Sequence, residues 1–176
     1  MVRVPKRMRL LSRGFKTRRM MVIALALLAI ILSVAGCSSN SEPIRATWID
    51  IKASGDTVSI PVSAVSNNKM THFLLGQGPS GEIAFMAYEL DRKIYVRSNM
   101  CVPCRSLSFS LQKDILVCDT CVTQFKAKTG DGIKGVTACM GFPKASVPYE
   151  IRDNTIVMKR NDLITAYQNT LKPGWP

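Results

Sequence analysis

Cys101-Val-Pro-Cys104 and Cys118-Asp-Thr-Cys121 form the stretch that decides how this chain folds. Thirteen residues separate the two pairs, and seventeen more lead from Cys121 to Cys139. Two residues between cysteines allow both thiolates to reach one ion, and a second such pair completes a tetrahedral shell of four sulfurs. The spacing therefore predicts a metal bound at Cys101, Cys104, Cys118 and Cys121.

Three interpretations of these cysteines stay open. Four thiolates suit an iron–sulfur cluster as well as a single zinc ion, and two disulfides are a third possibility. Outside the cytosol paired cysteines normally oxidise. With Cys37 set aside, however, five cysteines remain, so full pairing would leave one thiol over. Cys139 is either a ligand in place of one of the four or a thiol beside them.

The charge of the chain is concentrated in its leader. The formal net charge is +12, and residues 1–36 contain eight Lys or Arg and no Asp or Glu. From residue 37 onward sixteen basic residues stand against twelve acidic ones. A nucleic-acid-binding domain needs its basic surplus on the folded part, interleaved with aromatic residues. The distribution therefore argues against nucleic acid as a partner.

Residues 1–36 have the layout of a secretory signal peptide, because a basic segment precedes the apolar run Met20 to Ala35. Sixteen residues are short for a bilayer span, which needs about 20. The run ends in Val34-Ala35-Gly36-Cys37, which resembles a bacterial lipobox and predicts that Cys37 is lipidated. A retained signal anchor is the alternative. Residues 37–45 then form the lipidated cysteine and a polar tether, followed by a metal-binding domain over 46–176.

The signal also contains a pair of arginines, Arg18-Arg19, followed by apolar residues. This resembles the twin-arginine export signal, a route that carries folded proteins with their cofactors loaded. The sequence leaves both this route and the general secretory route open.

Alternation of apolar and polar residues predicts a mainly β (α+β) fold, a small antiparallel domain with a short C-terminal helix. Turns are expected at Gly55-Asp56, at 90–93, at 112–114 and at Asp153-Asn154. Each turn joins two strands into a hairpin.

Four more local features follow from the sequence. The strand containing Val58 is expected to run on to Val65. Cys118 is expected to open a helical turn reaching Phe125, and a final helix over 163–171 has Asn161 or Asp162 as its expected cap. The lone histidine, His72, is more typical of a packed or surface residue than of a ligand.

Residues 58–171 resemble the membrane iron–sulfur containing FtrD-like domain family of bacteria. The likeness rests on the order of the five cysteines and on the hairpin sequence from Val147-Pro148-Tyr149-Glu150 to Val157. It places Cys101, Cys104, Cys118, Cys121 and Cys139 on the family's cysteines. This sequence has Arg105-Ser106-Leu107 where the family often has Gly-Tyr, and Thr137-Ala138-Cys139-Met140-Gly141 where it tends to have Gly-Gly-Cys-Asn-Pro.

The resemblance implies an electron-transfer component at the extracytoplasmic face of the cell membrane, linked in some members to iron uptake. Its expected cofactor is an iron–sulfur cluster, with zinc as the alternative, and its expected partner is a membrane redox or iron-transport protein. A zinc-stabilised binding lipoprotein without redox activity is the alternative function.

Enzymatic chemistry has little support in the sequence. One histidine leaves few general bases, and no Ser/His/Asp set is recognisable. Covalent haem requires histidine directly after Cys-x-x-Cys, and the residues there are Arg105 and Val122. The chain is therefore expected to be a carrier and not an enzyme.

Overall fold

Hairpins follow one another along most of the folded chain. A computed structural model describes residues 42–78 and 81–173, which belong to one compact unit, residues 41–176. Its strands are β1 (Ile44–Arg45), β2 (Thr47–Trp48), β3 (Lys52–Ser54), β4 (Thr57–Pro61), β5 (Met70–Gly78), β6 (Gly81–Leu90), β7 (Lys93–Ser98), β8 (Phe109–Gln112), β9 (Ile115–Cys118), β10 (Gln124–Lys126), β11 (Gly132–Lys134), β12 (Glu150–Arg152) and β13 (Thr155–Lys159). Its helices are α1 (Val62–Asn68), α2 (Thr137–Met140) and α3 (Arg160–Leu171).

The strands form three sheets. One has the order β2-β5-β6-β7, the second β12-β13-β4-β3, and the third β1-β8-β9-β10-β11. Pairing is antiparallel apart from β2 with β5. The third sheet contains the hairpin between the two cysteine pairs, with Phe109 opposite Cys118, and this register places Cys118 at the end of a paired strand.

Two apolar clusters lie between these layers. The first, here called the strand core, joins the first two sheets to α3 through buried residues that include Val58, Ile60, Phe85, Ile156 and Leu163. Phe85 stacks on Phe73 with ring centroids 5.6 Å apart. Burial of such side chains stabilises the fold by roughly 1.5–3 kcal/mol each.

The second cluster, here called the cysteine core, lies under the third sheet. Its buried members include Phe109, Phe125 and the three cysteines Cys101, Cys118 and Cys139. The phenylalanine rings meet edge to face, with centroids 5.9 Å apart. This core therefore buries thiols among apolar side chains, whereas the buried members of the strand core include no cysteine.

The mainly β fold class with a short C-terminal helix is confirmed, and so are the hairpins at Gly55-Asp56, 90–93 and 112–114. The hairpin at Asp153-Asn154 is confirmed too. Asp153 and Asn154 have φ of 47° and 57°, the left-handed pair that a two-residue hairpin turn requires.

Three local predictions are wrong. Val65 lies in α1 because the strand ends at Pro61, where a proline supplies no N–H for the ladder. No helix follows Cys121, since the chain enters β10 by residue 124. The final helix begins at Arg160, and Lys159 occupies its cap position with no side-chain hydrogen bond.

The predicted signal peptide, residues 1–36, and Cys37 lie outside the described residues. Sheet pairing begins at Ile44, which faces Leu111 across β1 and β8. Within residues 42–78 and 81–173 none of the helices has the length and hydropathy that a membrane crossing needs.

Candidate metal centre

Four cysteine sulfurs converge at one point. The Sγ atoms of Cys101 and Cys121 are 3.7 Å apart, and those of Cys104 and Cys118 are 3.8 Å apart. All four sulfurs lie within 4.8 Å of one another. The predicted ligands thus come together, and each close pair takes one sulfur from each Cys-x-x-Cys loop.

The two Cys-x-x-Cys loops, here called knuckles, have the same backbone structure. The amide of Cys101 donates to the Ser106 carbonyl at 2.9 Å, and the amide of Cys118 donates to the Thr123 carbonyl at 2.9 Å. In both, the residue directly after the second cysteine is left-handed, with φ of 55° at Arg105 and 52° at Val122. This reversal turns the chain back so that both sulfurs of a knuckle face the same side.

Val122 is an unusual residue for such a turn. A β-branched side chain at positive φ is a steric outlier, and backbone strain of this kind costs about 1–3 kcal/mol. The side chain is 68% exposed, so apolar burial does not compensate that cost. Hydrogen bonds across the knuckle and its neighbours hold the turn instead.

The two knuckles are joined to each other. The Thr120 hydroxyl donates to the Ser106 hydroxyl at 2.9 Å. The Asp119 carboxylate accepts hydrogen bonds from Ser108 and Ser110, both at 2.6 Å. Hydrogen bonds to a charged carboxylate are among the stronger ones in proteins, so the separation between the knuckles is fixed from outside the sulfur cluster.

Three glycines bring the rest of the cysteine segment against the knuckles. A Cβ on Gly130, whose φ is 87°, would clash with the Lys144 carbonyl oxygen. On Gly135, whose φ is 122°, it would lie 2.6 Å from the Thr123 Cα, and on Gly132 it would lie 2.5 Å from the Met140 carbonyl oxygen. The segment 130–135, here called the glycine loop, therefore depends on glycine for its close approach to neighbouring backbone.

Cys139 lies beside the four-sulfur group. It is a buried residue of α2, and its Sγ is 3.8 Å from the Sγ of Cys121. It does not belong to the set whose sulfurs are all within 4.8 Å of one another. A metal role for Cys139 stays a prediction from the sequence.

The thiols influence each other's ionisation. The neighbouring Cys101 thiol lowers the pKa of Cys118 to about 4, and the same interaction, with burial, raises the pKa of Cys101. Burial raises the pKa of Cys104 to about 11. Such a group loses its protons in coupled steps, and a bound cation would replace them, because the metal ligand is the thiolate.

Lys144 is a buried cation next to this group. Its side chain is fully buried, and its Nζ donates to the Met100 carbonyl at 2.7 Å. The same nitrogen lies 4.4 Å from the ring centre of Phe125, a favourable cation–π distance. Burial lowers the pKa of Lys144 to about 8, and the negative charge of nearby thiolates opposes that shift, so the ammonium is mostly charged at neutral pH.

Arg97 is the second buried cation that sequence reasoning missed. Its guanidinium donates to the carbonyls of Ala127, Lys128, Thr129 and Lys144 and to the Tyr88 hydroxyl. Five donors in a planar fork suit this role. Arg97 thereby ties β7 to the glycine loop and to Lys144. No motif in the sequence marks either cation, since both depend on contacts between distant segments.

His72 lies apart from the four sulfurs. It is buried, its ring meets Trp48 edge to face at 5.1 Å, and its Nε2 has no hydrogen-bond partner among the described residues. Burial lowers its pKa to about 4. A ring of this kind is a neutral packed residue at neutral pH, as the sequence suggested.

The donor set defines what the site can bind. Four soft thiolate sulfurs, with no imidazole or carboxylate in the group, favour zinc or iron over magnesium or calcium. Cys101 and Cys118 are buried and Cys104 and Cys121 are half-buried, so the site is closed on one side and reaches the surface on the other.

Comparisons with known proteins bear on the identity of the chain. Among solved structures, the Sphingomonas yanoikuyae B1 ferredoxin has a TM-score of 0.38 and 20% identity, covering 44% of this chain and 74% of that one. A complex of reduced oxygenase and oxidized ferredoxin in carbazole 1,9a-dioxygenase has a TM-score of 0.44 and 15% identity, covering 58% and 93%. No curated protein matches this chain.

A family model gives the informative match. The description of that family is membrane iron-sulfur containing protein FtrD-like, and the match spans residues 65–169, more than half of the 176-residue chain. This range contains both knuckles, Cys139, the glycine loop and Lys144. The chain therefore belongs to the FtrD-like family of membrane iron–sulfur containing proteins.

Proposed function

We propose that this protein is a membrane-attached electron-transfer protein of the extracytoplasmic face, whose redox centre is iron bound by Cys101, Cys104, Cys118 and Cys121. The observation that carries the proposal is the convergence of these four sulfurs within 4.8 Å in a chain whose family is described as iron–sulfur containing. Iron held by thiolates would supply a one-electron couple at this place.

The chain itself gives the site two properties that a carrier needs. Phe109, Phe125 and Lys144 are fully buried beside the cysteines, so they exclude water from one side. On the other side Cys104 and Cys121 are half-buried and Val122 is 68% exposed. An electron would therefore enter and leave past Cys104 and Cys121, where a partner can approach the sulfurs closely.

The proposal includes a role as carrier and not as enzyme, with a membrane redox protein or an iron-transport protein as the partner. A carrier needs an accessible edge at its metal but no substrate cleft with acid and base groups. Reversible reduction of the purified protein without any small-molecule substrate is the result expected of a carrier.

Membrane attachment through a lipid on Cys37 is part of the proposal. It rests on the Val-Ala-Gly-Cys end of the apolar leader and on the membrane description of the family. Cys37→Ser is expected to leave an uncleaved precursor or to release the protein from membranes. Ser38→Ala serves as the control and should be processed normally, and unchanged fractionation of Cys37→Ser would contradict the anchor.

The test of the redox function is an anaerobic titration. Protein purified without oxygen is expected to contain iron, to be coloured, and to lose and regain its charge-transfer bands on reduction and reoxidation. Cys118→Ser should lose most of the iron, because serine is a poor replacement for a thiolate. Cys139→Ser is the matched control.

Zinc is the second candidate, because four thiolates in this arrangement also form a structural zinc site. The protein would then be a zinc-stabilised binding lipoprotein. Stoichiometric zinc in colourless protein prepared without oxygen would refute the electron-transfer proposal and leave this alternative.

A further inference from the structure

The spacing of the four sulfurs indicates how many metal ions the site holds. With a metal–sulfur bond of about 2.3 Å, the corners of a tetrahedral sulfur shell lie about 3.8 Å apart. The separations of 3.7 Å for Cys101 with Cys121 and 3.8 Å for Cys104 with Cys118 equal that edge. Every other pair of the four lies within 4.8 Å, so one ion at their centre can reach all of them.

Iron–sulfur clusters need a wider arrangement. In a four-iron cluster each thiolate binds a different iron, so the cysteine sulfurs are roughly 6 Å apart. In a two-iron cluster each iron takes two thiolates, and the two pairs of sulfurs are separated by a similar distance of roughly 6 Å. Neither spacing fits four sulfurs that all lie within 4.8 Å of one another.

Opening the site to admit a cluster would break the bonds between the knuckles. The Thr120 hydroxyl is 2.9 Å from Ser106, and the Asp119 amide is 3.0 Å from the Ser108 carbonyl. These are normal hydrogen-bond lengths, and a separation of the knuckles by about 2 Å would exceed them. The polar frame outside the sulfurs is therefore matched to the small shell.

Cys139 fits the same arrangement as a thiol outside the shell. Its sulfur is 3.8 Å from that of Cys121 but lies outside the set of four that are all within 4.8 Å of one another, and a tetrahedral ion with four thiolates has no fifth position.

We propose that this site holds a single metal ion in a shell of four cysteine sulfurs, without inorganic sulfide, and that Cys139 is not a ligand. The inference rests on the proposed function, in which that ion is iron. A single iron bound by four cysteine sulfurs is an iron–sulfur centre of the simplest kind, and it replaces the cluster expected from the sequence.

The composition of the anaerobically purified full-length protein tests the inference. Iron, zinc and acid-labile sulfide are measured per chain, and X-ray absorption reports whether iron has another iron as neighbour. One iron, no sulfide and no iron–iron scattering is the expected result. Sulfide in proportion to iron, with iron–iron scattering, would overturn the single-ion inference while leaving the electron-transfer proposal standing. One zinc and no iron would support the single-ion shell and overturn the proposed function.

A second measurement needs no native metal. Metal-free protein titrated anaerobically with Co²⁺ alone is expected to reach its endpoint at one equivalent, with the visible bands of a tetrahedral thiolate site. Cys101→Ser should weaken Co²⁺ binding by more than about 100-fold, beyond the range of outer-shell changes. Cys139→Ser should bind Co²⁺ as the parent protein does. An endpoint of two or more equivalents, or a loss of binding in Cys139→Ser equal to that in Cys101→Ser, would refute the proposal.

Discussion

The strand core and the cysteine core of this protein differ in what stabilises them. The strand core packs aliphatic and aromatic residues from two sheets and from α3, and its buried members contain no cysteine. The cysteine core places Cys101, Cys118 and Cys139 among its buried residues, with the ammonium of Lys144 beside them. Apolar burial is sufficient for the first, whereas the second contains charged or polar groups that are stable there only when partnered.

This difference between the two cores indicates where we expect metal binding and folding to be coupled. Residues 101–139 contribute short strands of three or four residues and a four-residue helix. β6, in contrast, has ten residues and contributes Phe85 to the strand core and Tyr88 to the cysteine core. We therefore expect a segment with so little regular structure to gain part of its order from a shared ion, since the binding energy of such an ion is folding energy.

Metal removal should have the largest effect, and it should be confined to the cysteine core. Chelation is expected to abolish hydrogen-exchange protection of the Cys101 and Cys118 amides, which close the two knuckles. Amides in the β4–β13 ladder should keep their protection, because Ile60 and Ile156 face each other there in the strand core. Equal protection of residues 101–139 with and without metal would contradict the coupling.

Alanine substitution of one phenylalanine in each core distinguishes the role of the strand core from that of the cysteine core. Phe85 and Phe125 are both fully buried, so replacement of either by alanine should lower the free energy of unfolding by about 3–5 kcal/mol. Phe85→Ala should leave metal affinity unchanged, since Phe85 belongs to the strand core. Phe125→Ala should also weaken Co²⁺ binding, because Phe125 packs in the cysteine core beneath Lys144. Equal metal affinity in the two variants would remove the distinction.

His72 contributes a pH-dependent term to the stability of the fold, and burial is its main cause. Its pKa is about 4 in the folded protein against an ordinary value of 6.5, so between those values the unfolded chain binds more protons. The free energy of unfolding should therefore fall as the pH falls from 6.5 to 4, by up to about 3 kcal/mol. His72→Phe keeps an aromatic ring opposite Trp48 and should show a smaller loss over this range. Denaturant titrations of metal-free protein check the slope, and an identical slope in both proteins would contradict it.

Lys144 should have the smallest effect, visible in the reduction potential. A buried positive charge favours the reduced, more negative state of a thiolate-bound iron. Lys144→Met is therefore expected to make reduction less favourable by about 1 kcal/mol and so to lower the reduction potential. That is a few tens of millivolts for a one-electron couple. Lys128→Met is the control, because Lys128 is exposed and forms its ion pair with Asp91. An unchanged or raised potential in Lys144→Met, with iron content preserved, would contradict this assignment.

The local sequence pattern was sufficient to predict the hairpins. The turn residues Gly55-Asp56 and Asp153-Asn154 adopt the expected positions because a turn depends on a few neighbouring residues. The same reasoning failed after Cys121, where a helix was expected and β10 follows. Pairing of β10 with β9 and β11 outweighed local preference there, as tertiary contacts commonly do.

The turns in the two knuckles could not be predicted from the sequence for a different reason. Arg105 and Val122 adopt left-handed φ values, and neither residue type signals that conformation. A glycine would have made the turn readable from the sequence. Here the turn is imposed by the bonds from Cys101 to Ser106 and from Cys118 to Thr123.

The sequence by itself determined that two Cys-x-x-Cys pairs and a fifth cysteine lie in a chain of β hairpins, because pair spacing and strand alternation are local properties. Only the tertiary structure decided that the four sulfurs lie within 4.8 Å of one another, with two pairs at the edge length of a tetrahedral shell, and that Cys139 lies just outside them. It also placed Lys144 beside the thiols, 44 residues from the Met100 carbonyl that holds it. Distances between such remote residues depend on how the sheets pack and on the glycines that allow close approach, and no local pattern contains them.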